Sequence, residues 1–352
     1  MKKNFSTFAP VNTFIRGKSN IKMISKVSKL LLSSLLGIYF LTYVDVIGYA
    51  QVENIKITES EIKEHLEFLT SSKNAGRYPG TKGNKRVVKY INSQFEEYGL
   101  KAFEGEYLQE FEAKLRVKEG ESPKSPVKTW NVIGYVEGTD PTLKDEYIIV
   151  GAHYDHLGHG GPSSKKPESD EIHPGADDNA SGTSALLEIA HKMAGNRFML
   201  SRSVIFVAFG AEEQGLLGSK YFVEHLPVPK ESVKLMINMD MVGRLNNENQ
   251  VYMGGAGTFP GGVDLMKDLG QELGLNPIVH AGEIGGSDHV SFYRAGISAM
   301  GLHTGGHPEY HRPEDTMDLI NISGEKVIAE YVYRTVVKVA QANYHLEFIN
   351  QD

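Results

Sequence analysis

Residues 146–156 read EYIIVGAHYDH. Tyr147 to Val150 form a short unbroken apolar run, the pattern of a strand covered on both faces, as in a parallel sheet. The run ends on His153, Asp155 and His156. SVIFVAFGAEE (203–213) repeats the design and ends on Glu212 and Glu213, and VKLMINMDMVG (233–243) runs out at Asp240. Helical patterns fall between and beyond them, at about 181–194, 215–225, 262–273 and 323–343, with a further strand at about 297–301. This alternation predicts an α/β sandwich built on a largely buried sheet.

Upstream, TESEIKEHLEFLTSS (58–72) reads as a helix. Thr58 and Glu61 fit a capping box, and Ile62, Leu66 and Leu69 share one face. A second helix spans about 82–98, with Val87, Tyr90, Ile91 and Phe95 on one side and Gly99 as its stop. Residues 106–118 and NVIGYVEG (131–138) read as strands. Pro/Gly-rich stretches interrupt the pattern only briefly, so residues 51–352 are expected to form one domain.

Composition narrows the chemistry. The chain has 352 residues and no cysteine, which excludes disulfides, thiolate nucleophiles and thiolate metal sites. Residues 1–50 hold seven of the 37 basic residues and one of the 44 acids, so without them the formal charge falls from −7 to −13. Such a surface repels phosphate backbones and argues against nucleic acid as a partner. The basic start is followed by a 15-residue apolar run, Leu30 to Val44, then by Gly48 and Ala50 before Gln51. This is the pattern of a cleavable secretory signal over 1–50, too short for a membrane span. It implies export to a periplasmic or extracellular space, with no stable membrane insertion after cleavage. Met23 would make the more typical start.

In open α/β sheets, sites gather beyond the carboxyl ends of strands. Here those ends carry His, Asp and Glu, the donors for zinc or another divalent ion when cysteine is absent. One acid in such a place ordinarily caps the next helix. Three such ends bring carboxylates together, and that clustering needs a cation or protons to offset the charge. Asp155, two residues beyond His153 and on the same face of an extended strand, can accept the other ring N–H of that histidine or support a neighbouring ligand. PGADDNASG (174–182) places Asp177, Asp178 and Asn179 just before a helix, where one can cap and another can bridge two ions. In the Glu212–Glu213 pair, one carboxylate can bind metal while the other reaches an attacking water.

HYDH, PGADDNASG, FGAEEQGLLGS, NMDMVGR, GGSDHVSFYRAGI and TGGHPEYHRPEDT, in this order, closely resemble the co-catalytic zinc aminopeptidase family. The resemblance covers roughly residues 60–345 and rests on six motifs. It implies a three-layer sandwich with a central mixed, mostly parallel sheet flanked by helices, and a metal-dependent exopeptidase acting on peptides. It implies two zinc ions, the first held by His153 and Asp240, the second by Glu213 and His311, with Asp178 between them. It makes Glu212 the general base, Tyr310 the group that steadies an oxyanion, and Asp155 the support of the first histidine. His156, His159, His173, His289, His303 and His307 are set aside as outer or solvated residues, Asp288 and His289 being the best supporting candidates.

Three other functions compete. A glutaminyl cyclase shares the fold but lines its pocket with tryptophan, and this chain has only Trp130, away from the motifs. A carboxypeptidase or dipeptidase is the second rival; glutamate carboxypeptidase relatives carry a large inserted domain, for which the stretch from Gly99 to Trp130 is too short. A non-catalytic module would have lost ligands or the base, yet all six positions are present.

Overall fold

The computed structural model describes residues 55–351, apart from 118, 119, 121 and 123. The expected signal over 1–50 and the alternative start at Met23 lie outside the described residues. Helix α1 is Glu59–Thr70, with Thr58 as its cap accepting from the Glu61 amide. The reciprocal arm of the expected capping box is diverted: Glu61 accepts from the Thr58 hydroxyl at 2.7 Å, and the Thr58 amide donates to Glu188 at 3.0 Å. Helix α2 is Lys82–Glu97. Its buried face holds Val88 beside Val87, Ile91 and Phe95, whereas Tyr90 stays half-buried and reaches His65 with its hydroxyl, 2.6 Å away. Gly99, at φ 73°, ends it in the left-handed conformation that glycine adopts freely.

Strands β1 (Leu108–Ala113), β2 (Val127–Val136), β3 (Tyr147–His153), β4 (Ser203–Phe209), β5 (Val233–Met239), β6 (Gln250–Gly254), β7 (Asn276–Val279) and β8 (Ala299–His303) form one sheet. Their order is β1-β2-β4-β3-β5-β8-β6-β7. The central neighbours β4, β3, β5 and β8 run parallel, as do β6 and β7, while β1–β2, β2–β4 and β6–β8 are antiparallel. The sheet is therefore mixed, as expected. Helices α3 (Gly182–Gly195), α4 (Leu217–Glu224), α5 (Gly262–Glu272), α6 (His289–Arg294) and α7 (Ile322–Val339) complete the layers.

Alternation along the central strands builds the sandwich. Val204, Phe206 and Ala208 face the larger core, with α1, α2, α3 and α7. Ile205, Val207 and Phe209 face the smaller one, with Phe222 of α4 and Phe292 of α6. All seven residues of β4 are buried, which is why its sequence shows no polar alternation. Three elements were not foreseen: β6, β7 and α6. Each is only four to six residues long, and β7 is half-exposed and contains Pro277, so none carries a periodic signal. The expected 106–118 strand pairs only over Leu108–Ala113, and β2 begins at Val127, ahead of the expected 131. Among the described residues, no helix is long and apolar enough to cross a membrane.

Because β3, β4, β5 and β8 are parallel, their carboxyl ends share one edge: His153 lies opposite Phe209, and Met239 opposite Leu302. The loops beyond that edge are tied together by Arg77, which is fully buried. Its guanidinium donates to the carbonyls of Tyr154 (2.7 Å), Leu69 (3.3 Å), Gly175 (3.0 Å) and Pro174. Burial lowers its pKa to about 10 against the pull of Asp178 and Asp155, so it remains charged at neutral pH. Arg77→Ala is expected to cost about 3–5 kcal/mol of stability, because it strands buried acceptors and carboxylates. Urea denaturation measures this, and a loss under about 1 kcal/mol would show that the guanidinium is not what holds the loops.

Candidate metal centre

The stretch before α3 decides which acid is available. Asp177 Oδ1 accepts from the Gly243 amide at 2.7 Å while its Oδ2 faces His307 at 3.3 Å, and Asn179 accepts from the Gly182 amide at 2.9 Å, so both are turned away from His153 and His311. Asp178 lies between them, with its Oδ2 buried and without a hydrogen-bond partner. The segment is clamped from behind by Asp315, whose carboxylate accepts from the amides of Asp177 (3.0 Å) and Asp178 (3.0 Å).

Two donor groups meet at Asp178. In the first, His153 Nε2 lies 3.4 Å from Asp178 Oδ1 and 3.5 Å from Asp240 Oδ1. In the second, His311 Nε2 lies 3.1 Å from Asp178 Oδ2 and 3.3 Å from Glu213 Oε2. The five residues expected as ligands are thus brought together. Nitrogen and oxygen donors about 2.0–2.1 Å from one tetrahedral zinc lie about 3.3 Å apart; the nitrogen–oxygen separations here match that spacing, and His153, Asp178 and Asp240 together are compact enough to hold one divalent ion. The buried, unpartnered oxygens of Asp178 and Glu213 add to that fit.

The structure also brings in His156, which the sequence reading set aside. Its ring is fully buried, with Nδ1 2.8 Å from Glu213 Oε1. Strand β3 stops at His153 and the chain turns inward, which brings the ring of His156 toward Glu213. The same turn leaves Asp155 in the second of its two expected positions, against a neighbouring segment. His153 Nδ1 meets its backbone carbonyl at 3.2 Å, while its carboxylate lies 3.8 Å away and accepts instead from the Glu212 amide at 2.9 Å. The other histidines are occupied elsewhere: His307 beside Asp177 (3.3 Å), His173 on Ser164 (2.8 Å), His159 on the Asp170 carbonyl (2.7 Å), and His303 stacked on Tyr252. Of the supporting candidates, Asp288 is buried and pushed up to about 7, and His289 meets the Ile284 carbonyl and is lowered by burial to about 4.

The adjacent glutamates are driven apart electrostatically. Burial, with the charges of Glu213, Asp288 and Asp240, raises Glu212 well above the carboxylate range despite His153. Burial and Asp178 push Glu213 up too, but His156 and His311 win and hold it below that range. Asp178 is held lower still by His156, His153 and His311, against its burial. Two neighbouring carboxyls with opposed shifts are suited to opposite tasks, one to carry a proton and one to stay charged.

Glu212, Asp240 and Tyr310 line a cavity of about 370 Å³ whose other walls include Met241, Ile284 and Leu302. The Tyr310 ring stacks on His311, ring centres 3.8 Å apart, and the Lys165 ammonium lies 4.2 Å from the centre of the Tyr310 ring. Residues 157–174 form a loop that braces this histidine: the Ser163 carbonyl lies 2.8 Å from His311 Nδ1, and the Lys165 amide donates to the His311 carbonyl at 3.0 Å. Ala211, Met241 and His311, each in or next to the site, sit at φ 58°, 59° and 58°. Left-handed backbone at non-glycine residues costs about 1–3 kcal/mol apiece and collects where geometry is held for function.

Comparison with known proteins places the chain in a family. Residues 131–336 match the profile of peptidase family M28. Aminopeptidase YwaD of Bacillus subtilis (strain 168) is 30% identical over 279 residues, covering 74% of this chain and 54% of that protein. Leucine aminopeptidase 2 of Trichophyton equinum is 32% identical over 186 residues, covering 50% of this chain and 34% of its own length. The chain thus spans about half or less of these relatives. In fold it is similar to BSAP, a zinc aminopeptidase from Bacillus subtilis, with a TM-score of 0.66 at 19% identity over 85% of this chain and 99% of that one. A Zn-dependent exopeptidase from Parabacteroides distasonis gives 0.64 at 20% identity over 80% and 98%. With the profile covering more than half of its length, the chain belongs to peptidase family M28.

Proposed function

We propose that this protein is an exported aminopeptidase that removes N-terminal residues from peptides, using two zinc ions held by His153 and Asp240, by Glu213 and His311, and by Asp178 in common. The observation that carries the reading is that Asp178 belongs to both donor groups while Glu212, its carboxyl raised, lines the cavity beside them. The aminopeptidase relatives support the choice of substrate end. When bound, a zinc pair supplies Lewis acidity and brings the pKa of a water to about 7.

The protein's own groups do the rest. Glu212 takes the proton of the attacking water and returns it to the leaving amine. Asp155 fixes the Glu212 backbone through its amide, so the carboxylate is aimed before substrate arrives. The Tyr310 hydroxyl, its pKa raised by burial and by Asp178, keeps its proton and donates to the developing oxyanion. Asp240 and Glu212 favour a free α-ammonium group, and the walls of Met241, Ile284 and Leu302 receive an apolar first side chain.

A panel of aminoacyl-nitroanilides, run with and without chelator and with metal analysis alongside, tests the reading. Chelator-resistant cleavage, or cyclisation of Gln-peptides without cleavage, would refute it. Glu212→Gln should keep both ions and lose turnover by about 100-fold or more; near-normal turnover would remove the base from this role. Asp178→Ala should lose metal as well as activity, read as zinc per chain.

A further outcome concerns pH. Burial opposes protonation of His311, but Asp178 and Glu213 raise it from 6.5 to about 10. In protein stripped of metal, this proton stabilises the fold fully below pH 6.5, and the contribution is lost as pH rises through about 10. Zinc requires the neutral ring and displaces the proton. The melting temperature of stripped protein should therefore fall across that window, and that of zinc-loaded protein should not share the fall. Parallel curves would contradict the assignment.

A further inference from the structure

His156 is a fully buried imidazole whose two nitrogens make no hydrogen bond. Its Nδ1 lies 2.8 Å from Glu213 Oε1 and 3.9 Å from Asp178 Oδ2. Those two oxygens also lack hydrogen-bond partners. The contact with Glu213 is close but misaligned, as when two groups approach a third body and not each other. His311 faces the same two carboxylates from another side, the two rings meeting edge to face at 5.9 Å and 71°. The room for His156 is made by Gly175, at φ 57°, where a Cβ would stand 2.5 Å from the ring.

We infer that His156 is a fourth protein donor, through Nδ1, to the cation held by Asp178, Glu213 and His311. This rests on the two-ion reading given above. Donor separations of 2.8, 3.1, 3.3 and 3.9 Å bracket the roughly 3.3 Å expected around a tetrahedral zinc. The two positions are then unequal. One is closed by two imidazoles and two carboxylates. The other, formed by His153, Asp178 and Asp240, has three protein donors, and all three line the cavity. A closed set is the mark of a site that retains its ion, an open one of a site that admits water and substrate.

The rival role for His156 is a hydrogen bond that steadies Glu213. His156→Gln separates the two, because the amide can still donate to the carboxylate but lacks the imidazole nitrogen. Zinc per chain is measured after equilibration with graded chelator, for wild type, His156→Gln, His156→Ala and Asp178→Ala. Both His156 variants should lose one ion at a chelator activity about 10–100-fold below that needed for wild type. Wild-type retention by His156→Gln would overturn the inference and leave the two-ion reading intact. Full zinc in Asp178→Ala would overturn that reading and this inference with it. A measurement needing no variant uses [¹⁵N]histidine-labelled wild type: three imidazoles whose ring nitrogens shift on zinc addition support the inference, and two overturn it.

Discussion

The Asp315 carboxylate receives the amides of Asp177 and Asp178, and the site depends on that clamp. A carboxylate placed between two imidazole groups must be fixed from its backbone, because its own oxygens are needed elsewhere. Asp177 and Asn179 finish the task by accepting from amides that follow β5 and begin α3. The sheet brings four strand ends to one edge, but hydrogen bonds among loops set the distances.

The electrostatics follow from that placement. Burial alone would raise every carboxyl at the edge. Asp178 and Glu213 are instead held low because imidazoles face them, while Glu212, one residue away and turned toward the cavity, keeps the raised value. Adjacent positions in the chain thus acquire opposite character without any difference in residue type.

Much of this was legible in the chain. The central strands announce themselves because they are buried on both faces, and His153, the Glu212–Glu213 pair and Asp240 stand out as polar where such strands stop, with the family motif alone dividing the two glutamates. What escaped had no periodic signal or depended on distant partners. His311 lies in coil with left-handed backbone, so only the family motif pointed to it. The approach of His156 to Glu213 was hidden because β3 ends at His153 and the chain turns inward there. Arg77 and Asp315 look like ordinary loop charges until folding places them against the carbonyls and amides of other segments. Strands β6 and β7 are too short for a pattern to be read from their sequence, and β7 lies half-exposed at the edge of the sheet.

The 157–174 loop is closed at its base by the His173 amide on the Gly158 carbonyl at 2.8 Å. From there it presses the Ser163 carbonyl onto the His311 ring. Surface loops ordinarily tolerate changes in length. This one is a strut, and its span is a dimension of the site. Adding or removing a residue between Gly158 and Ser163 would turn an imidazole 148 positions downstream. Variation in the outer part of the loop is free to proceed, whereas variation in its reach is not.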